Sequence, residues 1–450
     1  MALQEDQIFS VKKRLERIAQ LERDLGSDYE ELFTIFRVPT NIREANKSLY
    51  EPRVVPIGPY YYKWPHLTAM ECHKWRFLKS FLRRNNKLCV EAYIQAVGSL
   101  EMDARQCYSE MVDLSKNEFV EMLLLDGCFI LELFFKWLDE DPDVLIMESW
   151  GATTILSDLL LMDNQIPFIV IERLCNMIME GEAVNTRDTF LSLLANFLMD
   201  EKPSQTCFVS TWPNKINHLL DLYHQFLIVP DFYQEEEKHD QVTLPLWKER
   251  LIHWNLRAEH WNSKRFLRQI PGATELYEAG VQFKKKQSPK TLFDIKFNRG
   301  ILEIPPLQID SNKKTRLANL VALERHKTWG DQIATSYVAL MDSLINTKED
   351  VALLQHAGVI HNKLSSHQEA AIFFNQLGDC MSFDTINPHF ADVFRDVQLY
   401  YDSSWNRSLA HLVHDYFHSP WAIISVIAGV ILLGLTALQA FFTVYRYYHP

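Results

Sequence analysis

Three histidines, His411, His414 and His418, recur at i, i+3 and i+7 late in a chain of 450 residues. On one face of a helix three imidazoles have the donor type and the spacing to ligate a metal ion, and Asp415 stands beside them. The same histidines, with Tyr416 and Phe417, suit a membrane interface better, so they are weak metal candidates. Cys72 and His73 are adjacent, but neighbours on a helix point about 100° apart, which leaves no nucleophile and base pair. Asp126 and Asp163 each interrupt an apolar run. Such residues are either acids of raised pKa or, more often, acceptors for buried backbone. There is no Gly-rich phosphate loop, G-x-S-x-G elbow, H-E-x-x-H pair or paired-cysteine zinc spacing, so the sequence names no catalytic residue and no cofactor.

The elements that must carry these residues are mostly helical. Only 14 glycines in 450 residues and long amphipathic stretches argue for helix, while 47% hydrophobic and 23% charged content argues for a folded core. Heptad-like spacing of Ile8, Val11, Leu15, Ile18 and Leu25 predicts an amphipathic helix over 1–28. Three prolines in 50–60 predict extended chain or an edge strand, and a basic helix is expected at 69–84. Residues 119–137 and 154–179 read as core helices, the second broken at Asn164-Gln165-Ile166-Pro167. A polar, loop-rich stretch near 204–241 marks a subdivision of one large domain spanning 29–418. Alternation in 291–304 around Asn298-Arg299-Gly300 predicts a β-hairpin. Helix is expected again over 315–344, 349–377 and 390–417.

From Trp421 to Val444 no residue is charged and thirteen are Leu, Ile, Val or Phe. At about 1.5 Å per residue this stretch reaches roughly 36 Å, enough for roughly 30 Å of bilayer hydrocarbon. A transmembrane helix at 421–444 with a short tail at 445–450 is therefore expected, flanked by Trp421 and Tyr445 as interfacial rings. Ser425-x-x-x-Gly429 allows close helix packing, and Gly434 lies further along the same span. With few residues after the span, it reads as a tail anchor in the plasma membrane or an endomembrane, leaving the large domain cytosolic, although Arg446 lies nearer than Arg407 and slightly favours the opposite orientation.

A formal charge of −12 disfavours nucleic acid as a partner. Lys74, Arg76, Lys79, Arg83, Arg84 and Lys87 form a local basic run, as do Lys284, Lys285, Lys286 and Lys290, most simply as solvated faces. Seven cysteines without a C-x-x-C pair read as core residues of a reducing compartment, and the N-terminus has no apolar core of a secretory signal. Asn46-Lys47-Ser48 and Asn406-Arg407-Ser408 have the form of glycosylation acceptors.

Taken in order, Tyr50-Glu-Pro-Arg-Val-Val-Pro-Ile-Gly-Pro-Tyr60, Met70-Glu-Cys-His-Lys-Trp75, Leu125-Asp-Gly-Cys-Phe-Ile-Leu-Glu132 and Asp158-Leu-Leu-Leu-Met-Asp-Asn-Gln-Ile-Pro-Phe168 resemble the plant family called domain of unknown function 247. His218-Leu-Leu-Asp221, Ala273-Thr-Glu-Leu276, Ala279-Gly-Val-Gln-Phe283, Phe293-Asp-Ile295, Ile304-Pro-Pro-Leu307 and Pro420-Trp421 continue the likeness across roughly residues 30 to 445. The chain departs from the pattern with Asp163 where the family usually has Glu and Pro56 where it often has Ser. The resemblance implies a plant membrane protein with no established catalytic residues; some members lie at self-incompatibility loci and look like pollen-side recognition determinants. The expectation is a membrane-anchored recognition or signalling protein that binds another protein, with homo- or hetero-oligomers open. The alternative is an enzyme of unrecognised type acting at a membrane surface.

Overall fold

The computed structural model describes residues 33–85, 88–140, 151–179, 187–199, 212–213, 215–236, 270–289, 291–326, 332–379, 387–403, 428–429 and 431–439. The helix expected over 1–28 and His411, His414 and His418 lie outside them. The chain divides into two compact units, residues 1–240 with 310–330, and residues 241–309 with 331–450.

The first unit is helical. Ala69–Arg84 (α1), Val90–Gly98 (α2), Glu101–Gln106 (α3), Lys116–Leu138 (α4), Ala152–Asp158 (α5), Phe168–Met179 (α6), Arg187–Met199 (α7), Leu219–Glu236 (α8) and Ser311–His326 (α9) are its main helices. The α4 helix begins at a capping box: Ser115 Oγ accepts from the Glu118 N–H, and the Glu118 carboxylate accepts from the Ser115 N–H. From Phe119 to Phe134 nearly every side chain of α4 is buried, because α1, α2 and α6 pack around it. Phe77 of α1 meets Phe129 at 5.0 Å between ring centroids, and Phe134 packs against Phe190 and Phe197 of α7. Each such ring removed from water contributes about 1.5–3 kcal/mol, which makes α4 the spine of this unit. Gly127 lets α6 approach: a Cβ there would run into Leu174.

The break expected at Asn164–Pro167 is present, between α5 and α6. The stretch near 204–241, read as loop-rich, instead carries α8, because Leu219, Leu220, Leu222, Tyr223 and Leu227 supply a buried apolar face.

The second unit mixes helix and short strands. Gln282–Lys285 (β1), Lys296–Asn298 (β2) and Ile301–Ile304 (β3) form a sheet in the order β1-β3-β2, with β1 parallel and β2 antiparallel to β3. The β2-β3 hairpin turns through Arg299 at φ 49° and Gly300 at φ 81°, two left-handed residues whose twist suits a two-residue loop. Leu307–Ile309 (β4) pairs in parallel with Ile360–Asn362 (β5). Ile333–Leu344 (α10), Lys348–His356 (α11), His367–Asp379 (α12) and Pro388–Asp402 (α13) complete the unit with the short helix Ala273–Glu278. Helix expected without interruption over 349–377 is broken by Gly358 at φ 73° and by β5.

One expectation needs correction. Among the described residues no helix is long and apolar enough to cross a membrane. Of 421–444 only residues 428–429 and 431–439 are described, all helical. Among the described residues no atom lies within 4 Å of a Cβ added at Gly429 or Gly434, and Trp421 and Val444 lie outside the described residues. The expectations of a transmembrane helix and a single-pass membrane protein are therefore withdrawn.

Candidate functional site: the buried carboxylates of the first unit

Residues 50–60, expected as extended chain or an edge strand, join no strand: residues 53, 54 and 58 form bends and Pro59–Tyr61 is a short 3-10 turn. Their peptide groups bond to side chains instead. The N–H groups of Arg53, Val54 and Val55 donate to Asp158 Oδ2 at 3.1, 2.7 and 3.0 Å. The Ile57 N–H donates to Asn164 Oδ1 at 2.7 Å, while Asn164 Nδ2 donates to the Val55 carbonyl at 2.8 Å. The Gly58 N–H donates to Asp126 Oδ2 at 2.7 Å. Upstream, the Val38 N–H donates to Asp163 Oδ1 at 2.6 Å. A chain three prolines poor in N–H groups cannot join a ladder, and buried carboxylates supply the missing acceptors.

Gly58 has φ 75°, and a Cβ there would run into the Gln165 carbonyl. That carbonyl also accepts from Tyr108 Oη at 3.1 Å, while Gln165 Nε2 donates to the Leu159 and Leu161 carbonyls at 2.8 and 2.7 Å. The motif Asp158 to Pro167 is thus a rigid template. Asn319 of α9 extends it: its Oδ1 accepts from the Met162 N–H at 2.9 Å and its Nδ2 donates to the Leu49 carbonyl at 2.8 Å.

The charges are balanced locally. Lys74 Nζ lies 2.7 Å from Asp126 Oδ1 and 3.0 Å from Glu71 Oε1, and the Lys74 and Asp126 side chains are almost wholly buried. Burial works against the Lys74 charge, yet the Asp126 and Glu71 carboxylates outweigh it and hold the ammonium above its ordinary range. Arg43 reaches Asp163 at 3.3 Å and Arg37 approaches to 4.0 Å. Burial nevertheless pushes the Asp163 carboxyl up to about 6, against the Val38 N–H and the arginines. Asp158 is also raised by burial, opposed by its three backbone donors and Arg53. Arg84 lies against Glu132 and 2.8 Å from Asp139.

Lys74 and Arg84 therefore leave the basic run expected along 74–87: both turn to carboxylates, and α1 presents Lys79 and Arg83 to solvent beside a half-exposed Trp75. Lys74 had one sequence signal. It occupies the apolar stripe Met70, Lys74, Phe77, Leu78, Phe81, where a cation needs a buried anion. Cys72 is exposed and His73 half-buried, on diverging directions of the same helix. Cys72 and Cys89 stand at the surface rather than in the core expected for cysteines, while Cys128 and Cys175 are buried; the five described cysteines are free thiols. Among the described residues no group of three or more His, Cys, Asp or Glu is placed to hold a metal.

A family model described as "Plant protein of unknown function", DUF247, matches residues 35–435. The chain is 29% identical over 433 residues to the Arabidopsis thaliana protein called UPF0481 protein At3g47200, covering 94% of this chain and 88% of that relative. It is 26% identical over 510 residues to a second Arabidopsis thaliana relative, UPF0481 protein At3g02645, covering 97% and 94%. No solved structure matches the chain.

Proposed function

Because this chain belongs to the plant family DUF247, one of unknown function, we propose that it acts as a protein-recognition component and not as an enzyme. The observation that carries this reading is the commitment of the buried acids. A general acid or base must reach a substrate proton. Asp126, Asp158 and Asp163 instead accept from the backbone of residues 38–58 and face lysine or arginine. Each is at most about one hundredth exposed. Their chemistry is spent on holding one irregular segment in place, and that is what a rigid binding scaffold requires.

The accessible chemistry lies on the solvent face of α1, where Trp75 is half-exposed and Lys79 and Arg83 stand free of the core. A large ring with cations beside it is the composition of interface anchors. A photo-crosslinking residue at position 75 of the full chain, expressed in plant tissue, is expected to capture a discrete protein partner. A crosslinker at Phe129, buried in α4, serves as the control and should capture none. Equal labelling from both positions, or turnover of a small metabolite lost specifically in Asp126→Asn with folding intact, would overturn the reading.

A further inference from the structure

The edge of the sheet in the second unit offers a separate surface with a definable partner. In β1, the Gln282 N–H donates to the Gly300 carbonyl at 2.8 Å and the Lys286 N–H donates to the Ile304 carbonyl at 2.9 Å. With Gln282 opposite Ile301 and Lys284 opposite Glu303, the parallel ladder uses the peptide groups of residues 282, 284 and 286. Strand alternation then directs the N–H and C=O groups of Phe283 and Lys285 outward, and among the described residues β1 is the outermost strand on that side. An outward row of unpaired peptide groups is a template for another strand.

The side chains select the strand. Gln282, Lys284 and Lys285 are exposed, and Phe283 is buried, which fixes the face of β1 that turns to the core. Lys286, next along, pairs with Asp294; among the described residues Lys284 has Glu303 across the ladder but no ion pair within 4.0 Å, and Lys285 has none either, so these two carry the accessible positive charge of β1. Pairing with a second copy of β1 would bring these lysines together, and like charges across a ladder destabilise it. Self-association through this edge is therefore disfavoured, while an acidic strand gains on both backbone and charge. Lysines on an edge also guard against aggregation, and here that guard is selective by sign.

We propose that the outer edge of β1 binds an extended acidic peptide of a partner protein as an added strand. The proposal goes beyond the recognition reading above, because it assigns a second surface and the chemistry of what docks there. Main-chain bonds to Phe283 and Lys285 supply register, and Lys284 and Lys285 supply preference for Asp and Glu.

The test uses the full chain and a fluorescein-labelled peptide of alternating Glu and Val, about ten residues long, with a Lys and Val peptide as counterpart. Fluorescence anisotropy should show binding of the acidic peptide only, weakening as salt is raised. Lys285→Pro removes an outward N–H and leaves the ladder to β3 intact, so it should weaken binding by about tenfold or more with the unfolding midpoint unchanged. The double charge reversal Lys284→Glu with Lys285→Glu should lose the acidic peptide and gain the basic one. Acidic-peptide binding that is unaltered in Lys285→Pro would overturn the proposal, as would equal binding of both peptides by the native chain or a concentration-dependent dimer abolished by Lys285→Pro. If the crosslinks from position 75 persist in Lys285→Pro while the peptide fails to bind the native chain, the recognition reading stands and the β1 edge is not a docking strand.

Discussion

The Nζ of Lys74 and the Oδ1 of Asp126 lie 2.7 Å apart with both side chains almost wholly withdrawn from water. Removing one member of such a pair leaves an uncompensated charge, which costs about 3–5 kcal/mol, whereas replacing both by apolar residues is often neutral. Lys74→Met alone should therefore lower the urea stability by several kcal/mol, and Lys74→Met with Asp126→Leu should recover most of it, less the bond to the Gly58 N–H. Additive losses in the double variant would show that the two do not act together.

Asp163 sets a pH dependence of unusual sign. Its carboxyl is raised from 3.8 to about 6 by burial, so between those values the folded chain holds a proton that the unfolded chain has released. Stability contributed by this group is fully present below pH ~3.8 and is lost as pH rises through 6, a change of roughly 3 kcal/mol. Urea midpoints measured from pH 4 to 7 should carry this falling component, and Asp163→Asn should remove it. An unchanged slope in the variant would assign the titration elsewhere.

Gly58 is a point of close approach in the segment between Val38 and Tyr61. Gly58→Ala forces a Cβ into the Gln165 carbonyl and strains a backbone at φ 75°. A loss of about 1–3 kcal/mol, the range for backbone strain, is expected in thermal unfolding. Gly98→Ala, where an added Cβ meets nothing, is the control and should change little.

In the second unit, Asp350 serves two helix starts. Its Oδ1 accepts from the Thr274 N–H and hydroxyl at 2.8 and 2.7 Å, and its Oδ2 accepts from the Thr347 N–H and hydroxyl, both at 2.9 Å. Burial alone would raise its carboxyl, but the donors from Thr274 and Thr347 outweigh it and hold it below the usual range. Loss of each cap costs about 0.5–2 kcal/mol, so Asp350→Ala should speed hydrogen exchange in both Ala273–Glu278 and α11. Faster exchange in α11 alone would show that the tie to Thr274 is dispensable.

What the sequence disclosed follows from the range over which each signal acts. Apolar periodicity is local, and it located α1, α4 and the break between α5 and α6, while the Asn298-Arg299-Gly300 turn announced the β2-β3 hairpin. Parallel pairing is not local: β1 and β5 are four and three residues long, and their partners could not be read from pattern. The span expected at 421–444 rested on an uncharged run, which states a preference for apolar surroundings but not what supplies them, and among the described residues no helix is long and apolar enough to cross a membrane. Asp126 and Asp163 stood out as carboxylates in apolar runs, and the bland expectation of backbone acceptors is the one the structure bears out. Their donors lie 68 and 125 residues away, beyond any spacing rule.

Asp158 grips Val54 and Val55 by their amide hydrogens, and amide hydrogens are the same whatever residue carries them, whereas Arg53 adds its guanidinium 3.8 Å from Asp158 Oδ1. Val54 is half-exposed, so the identity displayed at that position is decoupled from the course of the chain beneath it. Apart from proline, which lacks the hydrogen, substitutions there can rewrite what the surface says without redrawing its shape.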